Sequence, residues 1–333
     1  MFNKKGFLVS ALLLALSLFL IACGGGTADN DGGEEAEGEG DGQQFIQILT
    51  GGTEGTYYPL GGTFAQVIND NVDSVEANAT STGASVENMN SISSGDGEIA
   101  FTQTDIASYA AEGEVMFDEA NEDFSAIGTL YPETIQIVTT KDSGIESVED
   151  LEGKTVSVGA PGSGTNANAD NILEVHGLDI NEDITARDLD FGDSTTGIQD
   201  GTIDAAFITS GTPTGAVESL AASIDVNIVP IEPEKAQELM DQYSYYSEDE
   251  VPEGTYGLES AVPTVAVQAM LVAHNDLSED LVYEMTKAIF DNTDQISHAK
   301  GEEISADTAL EGVGIDIHPG AQKYFDEAGV SAE

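Results

Sequence analysis

The 333-residue chain has no tryptophan, one cysteine, four histidines and nine Lys+Arg. Each scarcity excludes something. Set against 62 Asp+Glu, the nine basic residues leave a formal net charge of −53. Nucleic-acid binding is excluded on that ground, because neutralising phosphates takes clustered Lys and Arg. A lone cysteine forms no disulfide within the chain and no multi-Cys zinc site. His176, His274, His298 and His318 are far apart and lack metal-ligand spacing. No metal or cofactor is expected. No enzyme is expected either. Gly162-Ser163-Gly164 lacks the spacing of a nucleophile elbow, and no histidine has an identifiable Ser or Cys partner. Among 62 acidic residues, paired carboxylates arise by chance. What remains is a hydrophobic fraction of 40%, enough for ordinary cores. At about 100–200 residues per domain, the length suggests two domains.

Met1–Ala22 is an address. Lys4 and Lys5 form a positive start, and Phe7–Ala22 is apolar except for Ser10 and Ser17. The run is short of the roughly 20 residues of a spanning helix and reads as a secretory signal, with an uncleaved anchor as the alternative. Leu20-Ile21-Ala22-Cys23-Gly24 resembles a bacterial lipobox, in which Cys23 takes a lipid and becomes the mature N-terminus. The protein is therefore expected outside the cell, held to the membrane by that lipid. Gly24–Gln44 is Gly-rich and acidic, which predicts an extended tether. The folded part is expected from Phe45. Losing Lys4 and Lys5 leaves seven basic residues against 62 acidic ones. Such a chain repels itself at low salt, and at about 1 M the screening length falls to about 3 Å. A saline surrounding outside the cell is expected.

Beyond Phe45, strand-like and helical patterns alternate. Strands are predicted over Phe45–Gly51, Val75–Ser81, Glu98–Thr102, Phe124–Leu130 and Thr134–Thr140, with helices over Leu60–Asn71 and Ser85–Ser94. A second round adds strands at Thr155–Val158, Asp204–Thr209, Val226–Ile231 and Thr264–Ala273. Its helices fall at Ser147–Leu151, Asn166–His176, Thr214–Ala221 and Leu277–Thr293. Met116–Asn121 and Gln242–Tyr256 resist assignment. The alternation predicts α/β units with largely parallel sheets. Extended segments near Ile137–Lys141 and Thr264–Ala273 suggest two crossings between lobes. Residues 45–140 plus 270–333 would form lobe 1 and residues 141–269 lobe 2. Ligands of open α/β sheets bind at the carboxyl ends of strands, which puts the site in the cleft.

Four blocks go further: GGTEGTYYPLGG (Gly51–Gly62), ATSTGASVENMNSISSGDGEIAFTQTD (Ala79–Asp105), LYPETIQIVTTKDSGIESVEDLEGKTVSVGAPGSGT (Leu130–Thr165) and GTIDAAFITSGTPTGAVESLA (Gly201–Ala221). With the lipobox they resemble the TAXI family, the extracytoplasmic solute receptors of tripartite ATP-independent periplasmic (TRAP) transporters. The resemblance covers most of Ile46–Ala221. It implies a type II periplasmic-binding-protein fold and capture of a small anionic solute such as glutamate, glutamine or an organic acid. It also implies handover to TRAP membrane permease subunits. A ligand-sensing lipoprotein on the same fold is the alternative.

Candidate ligand-binding residues follow from the same blocks. Ala160–Thr165 lies between a strand and a helix. There Ser163, Gly164 and Thr165 either hold an anion at the helix start or, for Ser163, merely cap it. No Lys stands where a phosphate-binding P-loop needs one. The only arginine, Arg187, lies outside the block. Gly52 allows close backbone approach, and Thr56 and Tyr57 offer hydroxyls, whereas Tyr58 is assigned to the core. Ser81, Thr82, Gln103 and Ser210 sit at strand ends. Asp105 either pairs with a ligand ammonium or caps the helix after it. Asn88 is expected to face solvent. Gly211-Thr212 before Pro213 is expected to alter the pocket's shape.

The charge excess gives a test. The melting temperature should rise steeply as salt increases from low ionic strength towards about 1 M, because screening removes carboxylate repulsion. A curve that is flat or falling over that range would refute the repulsion argument.

Overall fold

The computed structural model describes residues 43–331. The segment Met1–Ala22 expected to be a signal, Cys23 expected to carry the lipid, and nearly all of the expected tether lie outside the described residues. Lobe 1 begins with β1 (Gln44–Leu49), α1 (Tyr57–Asn71), β2 (Val75–Thr80), α2 (Ser85–Ser94), β3 (Ile99–Gln103) and α3 (Thr104–Glu112). Strand β4 (Phe124–Thr140) carries the chain into lobe 2. That lobe comprises β5 (Thr155–Ser157), α4 (Gly164–Val175), β6 (Thr185–Arg187), α5 (Phe191–Gln199), β7 (Ala205–Ser210), α6 (Gly215–Ala221), β8 (Val226–Val229), α7 (Pro233–Gln242) and β9 (Ser247–Val251). Strand β10 (Val262–His274) returns to lobe 1, which ends with α8 (Glu279–Asp291) and α9 (Pro319–Ala328).

The sheet order is β2-β1-β3-β10-β4-β7-β5-β6, with β8 on β4 and β9 on β10. Strands β1, β2 and β3 run parallel, as do β5, β6 and β7. The two crossing strands pair antiparallel with each other and with both parallel groups. The sheet is thus mixed rather than largely parallel, because the chain leaves lobe 1 and comes back in opposite directions. Both faces are covered, which explains the unbroken apolar runs of the central strands. In lobe 1, Leu60, Phe64, Val282 and Phe325 pack on one face, and Met89, Ile92, Ile106 and Met270 form the core on the other. In lobe 2, Ile172, Leu173 and Phe207 centre one core, and Ile198, Ile208, Val217 and Leu220 the other.

Several expectations change. The two strands expected at Phe124–Leu130 and Thr134–Thr140 are one 17-residue strand. Its crossing lies at Leu130–Thr134, not near Ile137–Lys141, which already pairs with β7 and β8. Pro132 stands opposite Gln268, beside a register shift between Gln268 and Met270. A residue without an N–H is tolerated at such an irregularity. Asn88 does not face solvent. It is 0% exposed, and its Nδ2 donates to the Thr50 and Phe101 carbonyls, at 2.7 Å each, tying α2 to strand ends. Tyr58 is 38% exposed; Tyr57 takes the inward place, its ring 5.0 Å from that of Phe101. In the unassigned Gln242–Tyr256, β9 forms on the edge of β10.

Candidate ligand-binding cleft

A cavity of about 560 Å³ opens where the strands of both lobes end. Lobe 1 supplies Gly51–Tyr57 after β1, Ser81–Ser85 after β2, Gln103 at the end of β3, and Glu133 from the crossing. Lobe 2 supplies residues of Ala160–Thr165 after β5, Asp190–Asp193 after β6, and Thr209 and Ser210 of β7. This is the strand-end location that open α/β sheets favour.

The start of α4 is shaped by its sequence. Gly159 and Gly162 adopt φ of 95° and 79°, the left-handed region open to glycine. Ser163 stands at the N-cap, yet its Oγ donates to the Ala160 carbonyl at 2.7 Å and makes no capping bond. The first-turn N–H groups of α4 are therefore not capped by a side chain. Gly164 allows Gln103 of the other lobe to lie directly against this turn. A Cβ there would stand 1.9 Å from Gln103 Oε1.

No lysine or arginine lines the cleft. Positive potential comes from helix starts instead. Two starts are engaged: Val86 and Glu87 of α2 donate their N–H groups to the Gly162 carbonyl at 3.0 and 3.1 Å. At α5, Asp190 accepts from the Asp193 N–H at 2.7 Å. The starts of α1 and α4 carry no side-chain cap. The same cavity lining carries several acceptors. Glu133 is 2% exposed and accepts from Tyr57 Oη at 2.7 Å. Burial pushes its carboxyl up to about 8, against the opposing hydrogen bond from Tyr57, so it is largely uncharged at neutral pH. Gln103 Oε1 and Thr209 Oγ1 are buried without a partner among the described residues.

The lobes touch across the cleft. Thr56 Oγ1 and Ser210 Oγ lie 2.9 Å apart, and the Ala216 N–H donates to the Glu54 carbonyl at 3.3 Å. The cleft is closed.

Of the residues singled out in the sequence, Gly52, Thr56, Tyr57, Ser81, Thr82, Gln103, Ser163, Gly164, Thr165 and Ser210 all line this cavity. The Ser81 and Thr82 hydroxyls donate within lobe 1, to the Gly51 carbonyl at 2.9 Å and to Asn88 Oδ1 at 2.6 Å, so they shape the wall. Asp105 does not line the cavity. It is 0% exposed and turned towards α4, where Asn168 Nδ2 donates to its Oδ2 at 2.9 Å. Gly211 also lies outside the lining; a Cβ there would meet Lys300 Cγ at 2.8 Å. Sequence reasoning missed Glu133 and the start of α5 at Asp190–Asp193, while Thr209 falls in a strand-end loop that the family resemblance places in the cleft. Glu133 had a signal: it is the one charged residue in the otherwise uncharged run of β4.

A family model described as the NMT1-like family matches residues 48–329. Among solved structures, a protein from Bordetella bronchiseptica RB50 is 17% identical with a TM-score of 0.57, over 86% of this chain and 98% of that one. PhnD1 from Prochlorococcus marinus (MIT 9301), in complex with methylphosphonate, is 12% identical with a TM-score of 0.52, over 86% and 97%. A structure from Listeria monocytogenes named for an L-cystine ABC transporter is 15% identical with a TM-score of 0.50, over 80% and 98%. These likenesses show a two-lobed periplasmic-binding-protein fold. The family match overturns the expected TAXI membership, and with it the ground for a TRAP permease partner. The matching model is that of the NMT1-like family, and the transporter named among these neighbours is of the ABC type.

Gly164→Ala tests the closed geometry. The new methyl collides with Gln103 across the cleft, so the variant should fold normally and scatter X-rays as a more open particle. Wild-type compactness in that variant would mean that Gly164 does not set the closed approach.

Proposed function

The chain belongs to the NMT1-like family, and we propose that it is the extracytoplasmic solute receptor of a membrane transporter, closing its two lobes around a small anion. The observation that carries this reading is the side-chain-uncapped start of α4 facing buried, unpartnered acceptors within a closed cleft. Helix-start N–H groups hold an anion without any arginine. Beside that helix start, Gln103, together with Glu133 and Thr209 of the cavity lining, takes a donor. An arriving ammonium would ionise Glu133, because a neighbouring positive charge favours the carboxylate. The solute in this reading is a glutamate- or glutamine-like amino acid, or an organic acid that also carries a donor. Binding and release involve no covalent chemistry. The signal segment and Cys23 support lipid anchoring beside the membrane component that receives the solute. Neighbours named for ABC transport and for methylphosphonate support delivery of a small anion.

The experiment is a thermal-shift screen of amino acids, carboxylates, sulfonates and phosphonates, followed by calorimetric titration of the strongest hit. Thr165→Val keeps the side chain's shape and removes its hydroxyl. Charge-assisted hydrogen bonds are worth about 1.5–3 kcal/mol, so affinity should fall roughly ten- to a hundredfold with little change in melting temperature. Unchanged affinity would remove the Thr165 hydroxyl from the site. A screen in which no anion raises the melting temperature would count against the receptor reading itself.

A further inference from the structure

Behind the cleft lies a second meeting of the lobes that the solute does not reach. Asp105 is in the first turn of α3 in lobe 1, and Asn168 is on α4 in lobe 2; both are fully buried. Asn168 Nδ2 donates to Asp105 Oδ2 at 2.9 Å and lies 3.1 Å from Tyr246 Oη. Asn171 Nδ2 reaches the same Tyr246 oxygen at 3.1 Å, which fixes the lobe-2 side of the contact. Two acceptors are left over: Asp105 Oδ1 and Asn168 Oδ1 are buried with no partner among the described residues.

We propose that Asp105 is a positioning residue that clasps the closed lobes through Asn168, and that it takes up a proton each time the lobes close. The proposal rests on the reading that the two lobes open and close. A proton on Asp105 removes a buried charge and supplies a donor where two acceptors stand without one. The carboxyl's other donors, the Asn168 amide and the backbone N–H groups at the start of α3, do not remove the buried charge. The groups that feel its charge are Glu133 of β4, Tyr109 of α3 itself and Tyr246 of the segment before β9, all of them acids. Strand β3 carries no charged side chain, and β10 carries only His274 at its far end. From α2, Glu87 is bound to the Gly83 N–H at 2.8 Å, and from α4, Asp170 is exposed. Burial raises the Asp105 carboxyl to about 7, outweighing the lowering from the Ile106 backbone and from Asn168.

The direction of the pH effect follows from linkage. Opening separates α3 from α4 and hydrates Asp105, returning it to the ordinary aspartate value of about 3.9. Between about pH 4 and 7 the closed form therefore holds a proton that the open form has lost. The ratio of closed to open falls by up to tenfold per pH unit across that window, and levels off above it. At lower pH both forms are protonated and the dependence vanishes.

The test reads lobe separation without needing a ligand. Spin labels on Asn90→Cys of α2 and Asp170→Cys of α4, both exposed positions, report the distance across this contact in the secreted protein carrying Cys23→Ser. A Glu133→Gln background removes the other buried carboxyl. With Asp105 intact, the short-distance population should lose ground to the long one by roughly fiftyfold between pH 5 and pH 7. Asp105→Asn keeps a neutral donor in place and should stay short at both pH values. In Asn168→Asp one proton is shared by two carboxyls and held more tightly, so opening should shift to higher pH. This second variant decides the matter if Asp105→Asn fails to fold. An identical pH response in wild type and Asp105→Asn, or none in wild type, overturns the clasp. Distances that respond to the screened anions but not to pH overturn the clasp alone. Distances that respond to neither overturn the receptor reading as well.

Discussion

The antiparallel pairing of β4 with β10 is the constraint on which the rest depends. These two strands are the paths by which the chain leaves lobe 1 and returns to it, and they pair with each other from Phe124 to Thr134. Each continues into the parallel strands of its own lobe, β3 on one side and β7 on the other. One sheet thus runs through two lobes whose helices form largely separate cores and meet where α2 and α3 approach the start of α4. The ends of the parallel strands are brought face to face, and the space between them becomes the cleft. Glu133 and Tyr131 sit at the crossing itself, so a group placed there belongs to both lobes. That position explains a buried carboxyl in the floor of the cleft, bound by a tyrosine from the first helix.

An anion site of the kind proposed, without lysine or arginine, suits this chain. With nine basic residues in total, fixed cationic side chains are scarce, and the helix start of α4 supplies positive potential from backbone alone. Backbone donors need no side-chain ordering, but they demand close approach. Gly164 meets that demand by leaving room for Gln103. The same economy holds at the rear contact, where Asp105 has an amide for a partner instead of a cation. An amide does not favour the carboxylate as an arginine would, and that leaves protonation as the way to hold Asp105 in the closed interface.

Much of this was legible from sequence because it is carried by local signals. Ser85–Ser94 was read to its correct bounds, and the strand-end turns at Gly51, Ser81 and Gly162 were read as one site because glycine and hydroxyl residues follow apolar strands there. Side-chain direction was the main loss. The strand-end rule places the backbone of Asp105 near the cleft, but the first turn of α3 points its carboxyl towards α4. Asn88 shows the same limit: polar type suggested solvent, whereas the ends of β1 and β3 leave two carbonyls that a buried amide satisfies. Glu133 carried a signal as the one charged residue of β4, but its place in the cleft depends on pairing with Val267 of β10, much later in the chain. The family assignment failed where the fold succeeded, since the glycine-rich blocks record a cleft architecture that several families of receptors use.

The claim that α4 begins an anion site is tested most directly by a crystal structure with the strongest hit from the solute screen. The account predicts anion oxygens about 2.7–3.1 Å from the Gly164 and Thr165 backbone nitrogens, with the solute's donor end at Glu133 and Gln103. A solute bound outside the cleft, or bound with its anionic group against Glu133, would contradict it.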